Sequence, residues 1–149
     1  FKCIHEKSRE IISQQMKKGG NILPWKNQIA FENKIANMRF KQYLNSSKTS
    51  ICFFDRSPID CIAYLRLNNL QATSEIIQNI KRCNFNMNVF YTPIWEEIYI
   101  NDNERKENIE QAKKIEEHII YTYKLQGYRL IKIPKNPVFD RADFILSQI

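Results

Sequence analysis

The sequence predicts an α/β domain built on a parallel sheet. Segments with the composition of strands alternate along the chain with segments whose apolar residues recur at helical spacing, and this order is typical of that class. The clearest strand, residues 50–55, is continuously apolar from Ile51 to Phe54, as a parallel strand covered on both faces should be. We expect one domain over residues 1–149, because the chain has no internal repeat, linker or low-complexity segment.

Each element is predicted from its apolar pattern and from the residues that bound it. Strands are predicted at residues 1–5, 50–55, 87–91 and 128–133. Helices are predicted from about residue 7 to the glycine pair at 19–20, through 29–44, from 58 through 67, from 73 to 82, from after 108 to Gly127, and from 137 through 146. Pro58 suits a first helical turn, and Asn136 is predicted to cap the last helix with Pro137 at its first position.

Composition limits the possible functions. The formal net charge is +7 at pH 7, but the Lys and Arg residues are scattered, so we expect no nucleic acid as the main partner. The four cysteines form no CxxC pair and have no metal-ligand spacing, which favours reduced structural thiols. No apolar run has the length of a transmembrane segment and no signal peptide opens the chain, so we expect a cytoplasmic protein.

Polar residues follow three of the predicted strands, at the ends where ligands bind in α/β sheets. The groups are Glu6 with Arg9; Asp55, Arg56 and Ser57 with Asp60; and a charged loop that contains Arg105. The Asp55 carboxylate, at the end of a buried strand, needs a cation, a metal-bound water or hydrogen-bond donors. The alternative is a cap for the helix after Pro58, which Asp55, Ser57 or both could supply. Arg56 could clamp a phosphate with two hydrogen bonds, or pair with Asp60 or Glu6.

Glu6 and Arg105 have similar alternatives. Glu6 could be a general base that takes a proton from a substrate hydroxyl, or an ordinary acidic residue in the first turn of a helix. The charged loop at residues 102–107 is by default solvated, and its functional interpretation is a lid that brings Arg105 over a phosphate.

Four motifs in order resemble one family. They are His5-Glu6-x-x-Arg9-Glu10; Phe53-Phe54-Asp55-Arg56-Ser57-x-x-Asp60-x-x-Ala63-Tyr64; Pro93-x-Trp95-Glu96-Glu97-Ile98-Tyr99 followed by Asn101-Asp102-x-Glu104-Arg105; and Gly127-Tyr128 through Ile133-Pro134 to Arg141-x-x-Phe144-Ile145-Leu146. This pattern resembles the AAA-domain P-loop ATPase family, which includes the nicotinamide-riboside kinase domain and the TRP-translocation-defect protein. A looser similarity points to deoxynucleoside kinases. The resemblance implies a three-layer P-loop NTPase fold of the small-kinase type.

The resemblance also implies roles for individual residues. It makes Glu6 the candidate base, Arg56 the phosphate clamp and Arg105 the lid arginine, and it places Asp55 near a magnesium ion bound with ATP or GTP. Arg9, Ser57 and Arg105 are the residues that we expect to contact the nucleotide. Asp55 is the one residue that we expect to act as a metal ligand.

The chain departs from this family in its phosphate-binding loop. Families of this kind begin with a strand and the loop GxxxxGK[ST], whose backbone N–H groups and lysine hold the phosphates. The chain has three glycines, and no Gly-Lys-Ser or Gly-Lys-Thr occurs in it. In the family the first strand lies between the strands that end at Asp55 and Tyr91, and a sheet without it would leave backbone groups unpaired. We therefore expect an N-terminal piece, with the first strand and the loop, that this sequence lacks.

Two functions follow as expectations for the intact protein, and the third possibility is that the chain without its phosphate-binding loop is inert. The first is an ATP- or GTP-dependent phosphotransferase or NTPase whose acceptor is a nucleoside or another small hydroxyl compound, with magnesium bridging the phosphates. The second is a nucleotide-gated switch with NTPase activity that binds a protein or an anionic lipid, which the positive charge would suit. Glu6 favours transfer to a hydroxyl group, because a switch needs no base.

Overall fold

The structure is a computed structural model, and it describes residues 1–47, 49–100 and 108–149. The chain divides into two compact units, Phe1–Asn84 and Phe85–Ile149. Each unit is described by itself. The expectation of one domain over residues 1–149 stays a prediction.

The N-terminal unit packs helices against a pair of strands. Its elements are β1 (Lys2–Ile4), α1 (Ser8–Lys17), α2 (Gln28–Leu44), β2 (Cys52–Phe54), α3 (Pro58–Leu67) and α4 (Ser74–Lys81). The strands β1 and β2 are parallel, with Ile4 opposite Phe54. The long helix α2 packs against both α3 and α4, and Ile35, Leu65 and Ile76 are fully buried there. Burial of each such side chain stabilises the fold by about 1.5–3 kcal/mol.

The C-terminal unit has a second parallel strand pair. Its elements are β3 (Asn88–Tyr91), a short 3₁₀ helix (Glu96–Ile98), α5 (Ile109–Leu125), β4 (Arg129–Lys132) and α6 (Val138–Leu146). Asn88 lies opposite Arg129 at one end of the β3–β4 pair, and α5 packs against β4. The ring of Tyr123 meets the ring of Tyr128 edge-on, with the centroids 5.6 Å apart. The parallel pairing predicted from the sequence is confirmed in both units.

Three details differ from the sequence predictions. The described residues form two two-stranded sheets rather than one sheet. The expectation of a first strand that this sequence lacks stays a prediction. The run around β2 is half-buried and Ile51 is exposed, because among the described residues β2 is hydrogen-bonded to β1 alone. The last helix starts at Val138, since Pro137 keeps an extended ψ of 157°, so Asn136 does not cap it.

The other whole-chain expectations concern thiols and membranes. None of Cys3, Cys52, Cys61 and Cys83 forms a disulfide bond in the described ranges, and Cys61 is fully buried in the N-terminal core. The reduced state of the thiols stays a prediction. In the described ranges, no helix is both long enough and apolar enough to span a membrane.

The end of α5 gives a direct stability prediction. Gly127 has φ of +84°, a conformation that glycine adopts without strain, and an added Cβ would meet only the end of the Met87 side chain at 3.8 Å. Replacement Gly127→Ala is therefore expected to lower the free energy of unfolding by about 1–2 kcal/mol through backbone strain alone. Gly127→Asn is the matched control and should cost less, since asparagine tolerates this region. Urea denaturation measures both, and equal losses would contradict the strain explanation.

Candidate active site

The carboxyl ends of β1 and β2 bring the first two predicted groups of polar residues to one edge. Glu6 follows β1 by two residues, and residues 55–57, here called the 55–57 turn, follow β2 directly. The backbone N–H of Asp55 donates to the carbonyl of Ile4 at 2.9 Å, so the strand pairing extends into the turn. Neighbouring strands lie about 4.8 Å apart, which places Glu6 and the turn within reach of one small ligand.

Ser57 and Asp60 organise the helix that follows the turn. The Ser57 hydroxyl accepts the N–H of Ile59 at 3.1 Å, and the Oδ2 atom of Asp60 accepts the N–H of Ser57 at 2.8 Å. Together they form a reciprocal capping box at the start of α3, with Pro58 in the first turn. The alternative that Ser57 caps this helix is therefore confirmed, and the alternative that Asp55 supplies the cap is wrong.

The Asp55 side chain is left without a structural task. It is exposed, and among the described residues no group donates a hydrogen bond to its carboxylate or pairs with it. Within residues 1–47, 49–100 and 108–149, no three His, Cys, Asp or Glu side chains are grouped to hold a metal ion. A magnesium ion needs only one or two protein carboxylates when phosphates and waters supply the rest, so Asp55 fits that smaller role.

Arg56 has an unusual backbone conformation. Its φ is +73°, a region that a bulky residue enters at a cost of about 1–2 kcal/mol. Its guanidinium pairs with the Asp60 carboxylate, with Nη1 and Oδ1 3.0 Å apart, so the pairing alternative from the sequence is confirmed. Asp60 is 2% exposed, whereas the Arg56 side chain is 39% exposed. The arginine therefore presents a held guanidinium at the surface, and strained residues of this kind cluster at ligand sites.

Glu6 is bound on one of its two carboxylate oxygens. Its Oε1 atom accepts the N–H of Ser8 at 2.7 Å and also the Ser8 hydroxyl. The same atom accepts Nη2 of Arg39 at 3.2 Å. Glu6 thus lies before α1 and accepts from its first residue, so the alternative that placed Glu6 within the first turn is wrong. The charge that faces Glu6 comes from Arg39 of α2.

Two buried charged residues of α2 were missed by the sequence analysis. Arg39 and Glu32 are 5% and 3% exposed, and Nη1 of Arg39 donates to the Ser57 carbonyl at 3.0 Å. The carboxyl of Glu32 is hydrogen-bonded to the Cys61 thiol. Both residues share the apolar face of α2 with Ile35, at spacings of three and four. That position, a charge within an apolar stripe, was the signal that could have found them.

The pKa values of Glu6 and Glu32 are shifted in opposite directions, although both carboxyl groups lie near Arg39. Burial raises the pKa of Glu6, but the hydrogen bonds from Ser8 and the charge of Arg39 outweigh it and leave the pKa below its ordinary value. Burial raises the pKa of Glu32 to about 7, because its bond to Cys61 and the charge of Arg39 offset only part of the cost. Burial also raises the pKa of the Cys61 thiol, which stays protonated. At neutral pH the ionised partner of Arg39 on this edge is therefore Glu6.

The raised pKa of Glu32 predicts that the stability of the fold depends on pH. A carboxyl group whose folded pKa is about 7 and whose ordinary pKa is 4.5 favours folding fully below pH 4.5, and that contribution is lost as the pH rises through 7. The loss between pH 5 and 8 is about 2–3 kcal/mol, since one pKa unit corresponds to about 1.4 kcal/mol. Glu32→Gln should therefore be more stable than wild type at pH 8 and nearly equal at pH 5, in urea denaturation at both pH values.

Glu6 affects the pH dependence of stability at lower pH than Glu32 does, so the contributions of the two residues can be measured separately. Its folded pKa is lowered, so its contribution is present above the ordinary pKa of 4.5 and is lost as the pH falls through the folded value. Glu6→Gln should then lower the stability by a constant amount above pH 5 and by less as the pH falls below it. If the free energy of unfolding changed equally with pH in Glu32→Gln and in wild type, the pH dependence could not be assigned to Glu32.

The remaining predicted site residues have different outcomes. Arg9 lies exposed in the first turn of α1, and Ser57 is buried at the α3 cap. Arg105 lies outside the described residues. Glu6, Asp55, Arg56 and Ser57 are brought together, and their roles towards a ligand stay predictions.

Comparison with known proteins gives one result for the family. A family model described as an AAA domain matches residues 1–141 of the 149 residues. No match was found among the curated proteins or among the solved structures. The family match covers all the residues of the β1–β2 edge and both strand pairs.

Proposed function

Because the chain belongs to the AAA-domain family of P-loop nucleotide-binding NTPases, we propose that it transfers the terminal phosphate of ATP or GTP to a hydroxyl group of a nucleoside or another small molecule. The main support for this proposal is that Glu6 and the 55–57 turn lie together at the carboxyl ends of β1 and β2. A base for a hydroxyl group and a cation for a phosphate must lie within one ligand's reach for phosphate transfer.

The proposed reaction exchanges one bond at phosphorus for another. The acceptor hydroxyl oxygen bonds to the terminal phosphorus, and the bond from that phosphorus to the bridging oxygen breaks. The nucleoside diphosphate leaves with that oxygen, and the hydroxyl proton passes to the Glu6 carboxylate. Glu6 is ionised at neutral pH, because its pKa is lowered, so it is ready to accept the hydrogen bond from the acceptor.

Cationic residues hold the phosphates in this proposal. Arg56 contacts the transferred phosphate from the turn, where Asp60 fixes its guanidinium. Arg9, Ser57 and Arg105 are proposed nucleotide contacts, as the resemblance implies. Asp55 would hold the magnesium ion, which when bound would neutralise part of the charge on the phosphates. The finer relation to the nicotinamide-riboside kinase domain, the TRP-translocation-defect protein and deoxynucleoside kinases belongs to the same proposal.

The test is a panel of acceptors with the full-length protein. ATP or GTP is supplied with magnesium, and release of nucleoside diphosphate is measured with each nucleoside, nucleotide or small hydroxyl compound. We expect one class of acceptor to raise the release rate at least tenfold above the rate without acceptor. Hydrolysis that no acceptor changes would overturn the kinase proposal and favour the nucleotide-gated switch, whose partner would be a protein or an anionic lipid.

A further inference from the structure

Arg39 is a cation buried in the core of the N-terminal unit. Arg39 is 5% exposed and lies on the face of α2 that carries Ile35, Ala36 and Phe40. Taking a guanidinium out of water costs several kcal/mol unless hydrogen bonds and an opposite charge offset it, and an apolar residue would fill the space at no such cost. The arginine at this position is therefore explained by what it binds.

Arg39 connects the two halves of the candidate active site. Its Nη2 atom donates to Oε1 of Glu6 at 3.2 Å, and its Nη1 atom donates to the carbonyl of Ser57 at 3.0 Å. Nη1 also lies 3.6 Å from Sγ of Cys61. One side chain thus contacts the segment after β1 and the segment after β2, so the distance between Glu6 and the 55–57 turn is set by a planar group.

The charged groups around Arg39 leave Glu6 as its ion-pair partner. Cys61 and Asp60 act on Arg39 from α3, and Arg56 acts on it from the turn. Glu6 and Arg39 in turn act on the carboxyl group of Glu32 in α2. The carboxylate of Asp60 is bound to Arg56 and to the Ser57 N–H, and Glu32 is half protonated at about pH 7. Nη2 of Arg39, at the β1–β2 edge, therefore donates to an ionised Glu6.

The bonds on Glu6 are all on the same side of its carboxylate. The Ser8 N–H, the Ser8 hydroxyl and Nη2 of Arg39 converge on Oε1. Among the described residues, nothing donates to Oε2. A carboxylate has about four lone-pair sites, so a fully anchored Oε1 fixes the plane of the group and leaves Oε2 to accept from a ligand.

We propose that Arg39 is a positioning residue for phosphate transfer: with Ser8 it anchors Oε1 of Glu6, so that Oε2 receives the proton of the acceptor hydroxyl. This proposal rests on the proposed function. Arg39 touches neither nucleotide nor acceptor and acts through Glu6. A carboxylate that is already held in the productive orientation makes the transfer faster, because no rotational freedom has to be lost in the transition state.

The first test needs no substrate. The side-chain carbon of Glu6 is followed by ¹³C NMR as the pH is lowered, in wild type, Arg39→Gln and Arg39→Lys. Arg39→Gln should raise the midpoint of the Glu6 titration, because the facing charge is gone, and Arg39→Lys should leave it near the wild-type value. Arg66→Gln, at an exposed arginine of α3, is the control and should change nothing. A Glu6 midpoint that is unmoved in Arg39→Gln would overturn the proposal.

The second test separates positioning from folding by a double-mutant cycle. Arg39→Gln should lower kcat at least tenfold in the wild-type background, and less than twofold when Glu6→Gln is already present. An equal loss in both backgrounds would show a structural role and overturn the proposal. If Arg39→Gln does not fold, Arg39→Lys is used, with a smaller loss of kcat expected in the wild-type background only.

The two tests also separate this inference from the proposed function. A wild-type protein that transfers phosphate to no acceptor, with a Glu6 midpoint that still moves in Arg39→Gln, would overturn the phosphate-transfer role and keep the coupling of Arg39 to Glu6. Transfer that Arg39→Gln lowers equally in both backgrounds would keep the function and overturn the role of Arg39.

Discussion

Glu6→Gln is expected to lower the rate of phosphate transfer about 10²–10⁴-fold, the usual contribution of a positioned general base. Glutamine has nearly the same shape as glutamate and can keep the bond from Ser8, so the fold should survive. It cannot take the proton of the acceptor hydroxyl at neutral pH. The measurement is kcat for transfer with the best acceptor, together with nucleotide affinity, which should change less than twofold.

Glu10→Gln is the matched control for this prediction. Glu10 lies in the first turn of α1, four residues after Glu6, and is exposed with a long 3.7 Å ion pair to Lys7. Such surface pairs contribute about 0–1 kcal/mol, so transfer and stability should both stay near the wild-type values. A Glu6→Gln variant with wild-type transfer would contradict the role of Glu6 as the base.

Asp60→Ala is expected to lower the free energy of unfolding of the N-terminal unit by about 2–4 kcal/mol. Asp60 is 2% exposed, and it accepts both the Ser57 N–H and the Arg56 guanidinium. Its removal leaves a helix N-terminus without its cap and an arginine without its partner. The loss stays below the largest values for broken buried ion pairs, because Arg56 still reaches solvent.

The measurement uses one tryptophan for each unit. Trp25 lies in the N-terminal unit and Trp95 in the C-terminal unit, so a Trp95→Phe background leaves Trp25 as the reporter in urea denaturation. Asp140→Ala, an exposed first-turn aspartate of α6, is the control and should cost about 0.3–1 kcal/mol or less. Equal effects of Asp60→Ala and the control would refute the buried capping box.

Local chemistry explains which elements the sequence could predict. The helix α3 begins at Pro58 and ends at Leu67 as expected, because Ser57, Pro58 and Asp60 make a complete N-terminal signal. Gly127 ends α5 with a positive φ, for the same local reason. The start of α6 was misplaced, since proline fixes φ but leaves ψ open at its own position.

The candidate site was predicted in part for a different reason. Glu6 and the 55–57 turn could be found, because the carboxyl ends of parallel strands share one edge. Arg39 and Glu32 could not be ranked as site residues from one sequence, since a charge on a helix is usually solvated. Only the packing of α2 against α3 shows that both are buried, and this depends on contacts distant in the chain.

The most direct test of the central claim follows the terminal phosphate itself. ATP or GTP labelled on that phosphate is incubated with magnesium, the full-length protein and the best acceptor, and the label is divided between acceptor and inorganic phosphate. We expect most of the label on the acceptor hydroxyl in wild type and little of it there in Glu6→Gln. Label found in inorganic phosphate alone, at a rate that neither the acceptor nor Glu6→Gln changes, would contradict phosphate transfer at the β1–β2 edge.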